Sequence, residues 1–277
     1  MSFLSEPKPA PRTMLEVAPG ILRVTADNPS MMTYHGTNTY LIESQGRYYV
    51  LDPGPASDQL HLDWLVEFLK GRAAGIILTH HHSDHFGLAP QLRAQLEVPV
   101  FAYAVFADDT FKPDVELDNG DTFAGLEVLH TPGHASDHIC VARNDGVLFT
   151  GDHVMGWNSS IVMLPDGDMA EYCTQLRRLL ERTDSLYLPG HGPAVADPLP
   201  YTRRLLDHRV QREREIIAAL AERPQSEDEL APRLYRKSDP WLAKAALRNL
   251  QAHLDKLLRE GVVIRDAAGY WELTQQA

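Results

Sequence analysis

The pattern of apolar and polar residues predicts several strands near the start of the chain. Residues 21–52 alternate between the two residue types, with the clearest strand-like runs at 39–42 and 48–51. A period of two places every second side chain on the same face of a sheet. We therefore expect a β-meander with one buried face.

Helical spacing appears after this meander. A helix is predicted to begin at Ser57, and the uninterrupted apolar run 75–79 then predicts a short buried strand. Two further amphipathic helices are predicted at 88–96 and at about 169–182, and residues 144–146 form a hairpin signal. Because strands and helices are interspersed, periodicity predicts a mixed α/β domain.

The C-terminal part has a different pattern. A long helical stretch covers 198–222, a capping box begins at Ser226, and a third helix is predicted over about 240–260, followed by a hairpin around 266–268. Three helices and a terminal hairpin resemble a winged helix. We therefore predict a first domain over 1–197, a connecting helix over 198–223 and a winged-helix-like domain over 224–277.

Composition indicates a soluble protein of the cytoplasm. The chain has 277 residues, of which 44% are hydrophobic, and this is enough for one large core with a small appendage. The N-terminus lacks the apolar segment of a signal peptide, and no stretch approaches membrane-spanning length. Cys140 and Cys173 are expected to be reduced packing residues. We expect no membrane partner.

Charge decides how the winged-helix-like part is interpreted. The whole chain carries a net charge of −12, whereas residues 224–277 contain eight Lys/Arg and eight Asp/Glu and are neutral. A domain that binds a phosphate backbone normally has a basic stripe. We therefore expect this domain to pack on the catalytic part, or to shape its pocket or a dimer, and a homo-oligomer is possible.

The segment 80–85, His-His-His-Ser-Asp-His, contains the strongest chemical signal. Read as His80-x-His82-x-Asp84-His85, it follows the predicted strand 75–79. A strand that ends in such a loop can direct several imidazoles and a carboxylate at one point. Three neutral nitrogens and one anionic oxygen suit Zn²⁺, and also Fe²⁺ or Mn²⁺.

The same arrangement recurs at three later positions. His134, Asp152 and His191 each follow a predicted strand and a glycine-containing turn. Glycine lets the backbone bend tightly and approach an ion or substrate closely. One such element would be weak evidence, but four with the same order predict a metal centre.

These motifs and their order resemble the metallo-β-lactamase superfamily of metal-dependent hydrolases. Segments 36–41, 131–134, 151–156 and 189–193 are most similar to the β-lactamase-like group that carries a C-terminal winged helix. The resemblance implies an αββα sandwich followed by a small winged-helix-like domain.

Carried over residue by residue, the resemblance implies two metal sites. The first is held by His80, His82 and His134, the second by Asp84, His85 and His191, and Asp152 bridges the two. No ligand position departs from the two-metal pattern. His82 in particular is not the glutamate of flavodiiron relatives, which argues against a redox di-iron role. Two zinc ions per chain are expected, with iron or manganese possible.

Several other residues are assigned by their position near these motifs. His138, Asn158, Ser159 and Ser160 are candidates for substrate contact, with second-shell or packing roles as alternatives. His81 is expected to point away from the metals, and His153 to line the pocket or to pack. The resemblance implies that Asp52 supports a ligand histidine, with a simple turn residue as the alternative. The remaining histidines are expected to be surface or capped residues: His35, His61, His130, His208 and His253.

Three functions are compatible with this chemistry. A hydroxide shared by two metals, with Asp84 orienting the water or accepting its proton, would attack an ester, thioester or lactone carbonyl of a small molecule. The same hydroxide would cleave single-stranded RNA, and the resembling group includes a mitochondrial endoribonuclease as well as polyketide thioesterases. A DNA-binding regulator that senses a ligand is a third hypothesis, which the complete ligand set disfavours.

Overall fold

The computed structural model describes residues 3–235 and 240–274. Its first sheet has seven strands in chain order, antiparallel from β1 to β4 and parallel from β4 to β7. These strands are β1 (Leu15–Ala18), β2 (Ile21–Thr25), β3 (Asn38–Ser44), β4 (Arg47–Leu51), β5 (Ala73–Ile77), β6 (Val100–Tyr103) and β7 (Val115–Leu117).

The second sheet has five strands in the order β12-β11-β10-β9-β8. Adjacent strands in this sheet are antiparallel, except for β11 and β12, which run parallel. The strands are β8 (Thr122–Phe123), β9 (Leu126–His130), β10 (Ile139–Arg143), β11 (Val147–Gly151) and β12 (Leu186–Pro189). The predicted hairpin at 144–146 joins β10 to β11 and is confirmed.

Four helices accompany these sheets: α1 (Gln59–Leu69), α2 (Ser83–Phe86), α3 (Ala89–Leu96) and α4 (Met169–Leu179). Neighbouring residues of β3 point to opposite faces of the first sheet. Leu41 packs in the apolar cluster that contains Leu65 of α1, whereas Tyr40 packs with Phe149 in the core between the two sheets. Helix α4 covers the outer face of the second sheet, where Leu176 packs against Leu148. The expected αββα sandwich is confirmed.

The C-terminal part contains α5 (Pro198–Glu222), α6 (Glu227–Leu234), α7 (Pro240–Arg259), β13 (Val263–Arg265) and β14 (Trp271–Leu273). Helix α5 belongs to two cores, since Leu205 packs with the α4 cluster and Ile216 packs with Leu254 and Trp271. The predicted capping box between Ser226 and Glu229 is present. One helix thus packs in the core of the sandwich and in the core of the small domain.

Some expectations from periodicity were incomplete. Helix α4 ends at Leu179, three residues before the predicted end, and the short strands β1, β7 and β8 were not predicted. Cys140 and Cys173 are free and buried, as expected, and burial raises the pKa of Cys140 to about 12. Among the described residues, no helix is both long and apolar enough to cross a membrane.

Candidate metal centre

The candidate ligands lie on loops at one end of the sandwich. His80 and His82 follow β5, whereas His134, Asp152 and His191 follow β9, β11 and β12. Parallel pairing of β11 with β12 brings the ends of these two strands together.

Glycine permits the close approach of these loops. A Cβ atom placed on Gly190 would lie 2.6 Å from Cε1 of His85 and 2.8 Å from Oδ1 of Asp152. A side chain at this position would therefore displace two of the candidate ligands.

Three imidazoles form the first group. Nε2 of His80 lies 3.0 Å from Nδ1 of His82, and Nε2 of His134 lies 3.0 Å from the same Nδ1 atom. These three nitrogen atoms could therefore face one ion.

A carboxylate and two imidazoles form the second group. Nε2 of His85 and Nε2 of His191 are 3.2 Å apart, and Oδ2 of Asp84 lies 3.2 Å from Nε2 of His191. Asp152 reaches both groups, because Oδ2 lies 3.5 Å from His191 and 3.6 Å from Nε2 of His134. The structure thus brings together all seven residues that the sequence singled out.

The outer nitrogens of these imidazoles fix their tautomers. Nδ1 of His134 contacts the carbonyl oxygen of Ile161 at 2.7 Å, and Nδ1 of His191 contacts that of Gly36 at 3.2 Å. A carbonyl oxygen can only accept, so in the neutral imidazole each Nδ1 carries the proton and each Nε2 keeps a lone pair. That lone pair points toward the other ligands.

Asp52 organises two histidines at once. Its Oδ2 atom accepts from Nδ1 of His85 at 2.8 Å and from the hydroxyl of Thr79 at 2.7 Å. Since that hydroxyl proton is used, Oγ1 of Thr79 accepts from Nδ1 of His80 at 2.9 Å. Asp52 therefore contacts a candidate ligand histidine directly, as its position in the sequence suggested, and a second one through Thr79.

This arrangement fits metal cations. Imidazole lone pairs separated by 3.0 to 3.2 Å repel one another unless a positive charge lies between them. Oδ1 of Asp152 is buried and has no hydrogen-bond partner, which is costly for a carboxylate oxygen. Nitrogen and carboxylate donors are those that zinc, iron and manganese accept.

Electrostatics in the site also favour positive charge. Burial raises the pKa of Asp152, but the imidazoles of His191 and His85 outweigh burial and hold this pKa well below its usual range. Burial lowers the pKa of His191, and Asp152 more than offsets it, raising this pKa to about 9. Burial lowers the pKa of His80, which keeps it in the neutral form that binds metal.

The structure places the other histidines as follows. His81 points away from both groups, and Nδ1 lies 3.0 Å from Asp137, whose hydrogen bond raises the pKa of His81. His153 is fully buried beside the ring of Tyr172 and packs without reaching the pocket. The expectation that His61 and His253 are surface or capped residues is wrong, because both are fully buried.

The four candidate substrate residues do not line the pocket that the structure forms. His138 is fully buried, and its Nε2 accepts from the backbone N–H of Asp152 at 3.1 Å. Ser160 is also buried, with its hydroxyl bonded to the backbone oxygen of Asp152. Asn158 caps the N–H of Ser159 at 2.9 Å within the loop itself. His138 and Ser160 thus contact the backbone of Asp152 in this structure, and contact of the four residues with substrate stays a prediction.

The pocket beside the ligands has a volume of about 680 Å³. Asp84, Asp152 and the imidazoles of His82, His134 and His191 form its polar part, with His81, Thr33, Ser83 and Asp166 at the side. Its apolar wall consists of Met32, Ile161, Met163, Leu164 and Pro165, and α7 adds Lys244, Ala245 and Arg248. The small domain therefore shapes the pocket, in agreement with the expectation from charge.

Two helices of the C-terminal part also hold the loop that orients His134. Oδ1 of Asn249 on α7 accepts from the N–H of Val162 and from Nη1 of Arg209, both at 3.2 Å. Arg209 on α5 in turn binds the carbonyl oxygen of Ser160. These contacts flank Ile161, whose carbonyl accepts from His134. Sequence spacing gave no signal for them, because Asn249 lies 87 residues beyond Val162.

Comparison with known proteins agrees with the fold. A model of the metallo-β-lactamase superfamily matches residues 32–191, and a model of the β-lactamase-associated winged helix domain matches residues 226–271. The chain therefore belongs to the metallo-β-lactamase superfamily, whose members are generally hydrolases that bind metal ions. The resemblance inferred from the motifs is confirmed, including the winged helix.

Relatives with full-length similarity include the β-lactamase-like protein 2 homolog of Drosophila melanogaster. It is 30% identical over 262 residues, which cover 87% of this chain and 88% of the relative. An atrochrysone carboxyl ACP thioesterase of Aspergillus chevalieri is 30% identical over 213 residues, covering 74% and 67% of the two chains. A β-lactamase domain protein from Burkholderia ambifaria has the same fold, with a TM-score of 0.83, 24% identity and coverage of 96% and 95%.

Proposed function

We propose that this protein is a binuclear metal-dependent hydrolase of a small ester, thioester or lactone, with a thioester favoured. The observation that carries the proposal is the convergence of seven donor side chains, with their lone pairs facing one another, beside an open pocket. In this proposal His80, His82 and His134 hold one zinc ion, Asp84, His85 and His191 hold the other, and Asp152 bridges them. Iron or manganese would suit the same donors.

The chemistry divides between the ions and the chain. When bound, two such ions lower the pKa of a shared water and polarise the carbonyl under attack. Asp84 lies at the pocket surface, and although burial raises its pKa, the imidazoles of His85 and His191 lower it well below the usual range. Asp84 is therefore ionised at neutral pH, and in this proposal its carboxylate accepts a hydrogen bond from the attacking water and orients it.

The choice of a thioester rests on the pocket and on the relatives. The apolar wall suits the acyl or carrier chain of such a substrate, and a relative similar over three quarters of this chain bears the name of a thioesterase. A DNA-binding regulator is disfavoured because α7, the third helix of the winged helix, lies against the pocket instead of being free to enter a groove.

The experiment combines metal analysis with a hydrolysis screen. We expect two equivalents of metal per chain and turnover of thioesters in a panel that also contains esters, lactones and single-stranded RNA. Asp84→Asn should lower kcat by roughly 10²- to 10⁴-fold, and Asp152→Ala should lose metal.

His81→Gln serves as the control for metal content, because His81 points away from both groups. Full activity of Asp84→Asn or Asp152→Ala with metal still bound would refute the assignment. Cleavage of RNA without turnover of any carbonyl substrate would refute the proposed reaction.

A further inference from the structure

Two basic side chains from the winged helix line the pocket of the candidate metal centre. Lys244 and Arg248 lie one turn apart on α7 and therefore share a face of the helix. Both contribute to the same cavity as Asp84, His134 and His191. The C-terminal domain thus adds two cationic side chains to the pocket of the candidate metal centre.

Neither of these side chains pairs with an anion in the part of the chain that the structure describes. Within residues 3–235 and 240–274, no ion pair joins Lys244 or Arg248 to a carboxylate, and both residues are exposed. Further along the same helix, Lys256 pairs with Glu213 at 2.9 Å and Arg259 pairs with Asp168 at 2.8 Å. Among the described residues, Lys244 and Arg248 are therefore two exposed cations on one pocket wall that no carboxylate neutralises.

The carboxylates that line the pocket contact groups other than Lys244 and Arg248. Asp84 and Asp152 face the imidazoles of the two ligand groups. Asp166, the third lining carboxylate, accepts from the backbone N–H of Ser136 at 3.0 Å and from its hydroxyl at 2.6 Å. Its Oδ2 atom has no hydrogen-bond partner and lies 3.8 Å from Nε2 of His81 and 3.9 Å from Nε2 of His82. Within the described residues, none of the three carboxylates forms an ion pair with Lys244 or Arg248.

The rest of the wall indicates the shape of an occupant. Met32, Ile161, Met163 and Leu164 form its apolar surface, and the side chains of Met32 and Met163 are 43% and 46% exposed. Exposed methionines provide adaptable apolar contact. An occupant would therefore place a reactive group at the ligand clusters, an apolar segment along this wall and an anion at α7.

We propose that Lys244 and Arg248 form a subsite for an oxyanion, a phosphate or a carboxylate, that the thioester substrate carries away from its scissile bond. This inference rests on the proposed hydrolase function and specifies its substrate class. Single-stranded RNA fits less well. A phosphodiester backbone is normally bound by a longer row of basic side chains than the two cations among the described residues of this pocket.

The test uses the zinc-loaded full chain and the double variant Lys244→Gln/Arg248→Gln. One acyl group is presented on coenzyme A, which carries phosphates, on glutathione, which carries carboxylates, and on uncharged N-acetylcysteamine. A fourth substrate places a carboxylate at the end of the acyl group on N-acetylcysteamine. These arms distinguish the sources of the anion.

We expect KM for the substrate that carries the recognised anion to rise roughly tenfold in the variant, since two charge contacts are removed. Its kcat should stay unchanged, because such contacts bind substrate and transition state equally. The uncharged thioester should respond little, and added salt should raise KM for wild type but not for the variant. The matched control is Arg203→Gln/Arg214→Gln, which removes two exposed cations of α5 outside the pocket.

The inference would be overturned if the double variant had unchanged KM for every anionic substrate. It would also be overturned if KM rose equally for charged and uncharged thioesters, or if it rose equally in the control variant. If wild type hydrolyses no thioester, the proposed function fails separately. The subsite is then tested by calorimetric binding of S-methyl-coenzyme A and S-methylglutathione, which cannot be hydrolysed. Tighter binding of either to wild type than to the variant supports the subsite, and equal or absent binding refutes it.

Discussion

At the scale of single residues, the outer hydrogen bonds of the histidines matter as much as the nitrogens that face inward. Asp52 is the clearest case, because it accepts from His85 and from Thr79 and is itself fully buried. It also has a φ of +52°, a left-handed conformation that costs energy for a residue other than glycine. The fold thus keeps Asp52 in a strained backbone conformation, in which its carboxylate orients the imidazoles of His85 and, through Thr79, His80.

We expect Asp52→Asn to weaken metal binding by the group that contains His85. Oδ2 accepts from both His85 and Thr79, and an amide nitrogen at that position would donate instead. Loss of such an outer partner typically costs 10- to 100-fold in metal affinity. Competition with a chelating dye would measure the change.

Asp184→Asn is the matched control for this prediction, because Asp184 is a buried carboxylate that pairs with Arg182 outside the metal centre. Metal affinity of Asp52→Asn equal to that of wild type and of the control would contradict the role given to Asp52.

At the scale of elements, the loop between β11 and α4 depends on helices from outside the sandwich. Asn249 of α7 and Arg209 of α5 bind backbone atoms on either side of Ile161, whose carbonyl orients His134. Backbone polar groups at such a buried position require partners. The C-terminal helices therefore help to position a candidate ligand that they do not touch.

Asn249→Ala should consequently affect the first ligand group. Without the side chain, the N–H of Val162 and the guanidinium of Arg209 each lose an acceptor, at a cost of about 1 to 3 kcal/mol for a buried group. We expect lower metal affinity at His80, His82 and His134. We also expect kcat to decrease by a larger factor than the factor by which KM changes. Metal titration and steady-state kinetics would measure both.

Gln251→Ala is the control on the same helix, because Gln251 bonds to Glu227 inside the winged helix at 2.7 Å. It should alter stability without altering metal affinity. If the two variants had the same affinity and kinetics, positioning through Asn249 would be disproved.

At the scale of the whole molecule, the candidate metal centre joins parts of the chain that are far apart in sequence. His80 follows a strand of the first sheet, and His191 follows a strand of the second. Ions held between these loops would bind the folded state and not the unfolded one, so they would stabilise the fold by mass action.

Removal of metal by a chelator should therefore lower the melting temperature. With free metal at about 1,000 times its Kd, bound metal contributes roughly 4 kcal/mol, which corresponds to a decrease of roughly 10 °C for a chain of this size. Differential scanning calorimetry with and without chelator would measure it. Asp152→Ala should show a much smaller difference, and an equal difference would contradict the bridging role.

The sequence alone was sufficient for much of this protein. Strand-turn-histidine motifs are local, so periodicity and glycine placement predicted the loops that carry His80, His134 and His191, and the order of the motifs predicted the superfamily. The capping box at Ser226 and the terminal hairpin likewise predicted the winged helix. The motifs, the capping box and the hairpin each depend on residues that are close together in the sequence, so the sequence alone can predict them.

Only the tertiary structure decided which side chains form the pocket wall. Ser160 and His138 lie near the ligands in sequence but turn inward to bond with the backbone of Asp152, whereas Lys244 and Arg248 reach the pocket from the far end of the chain. Their positions follow from the packing of α5 and α7 against the sandwich. Contacts between distant segments leave no periodic signal, because packing and not spacing determines them.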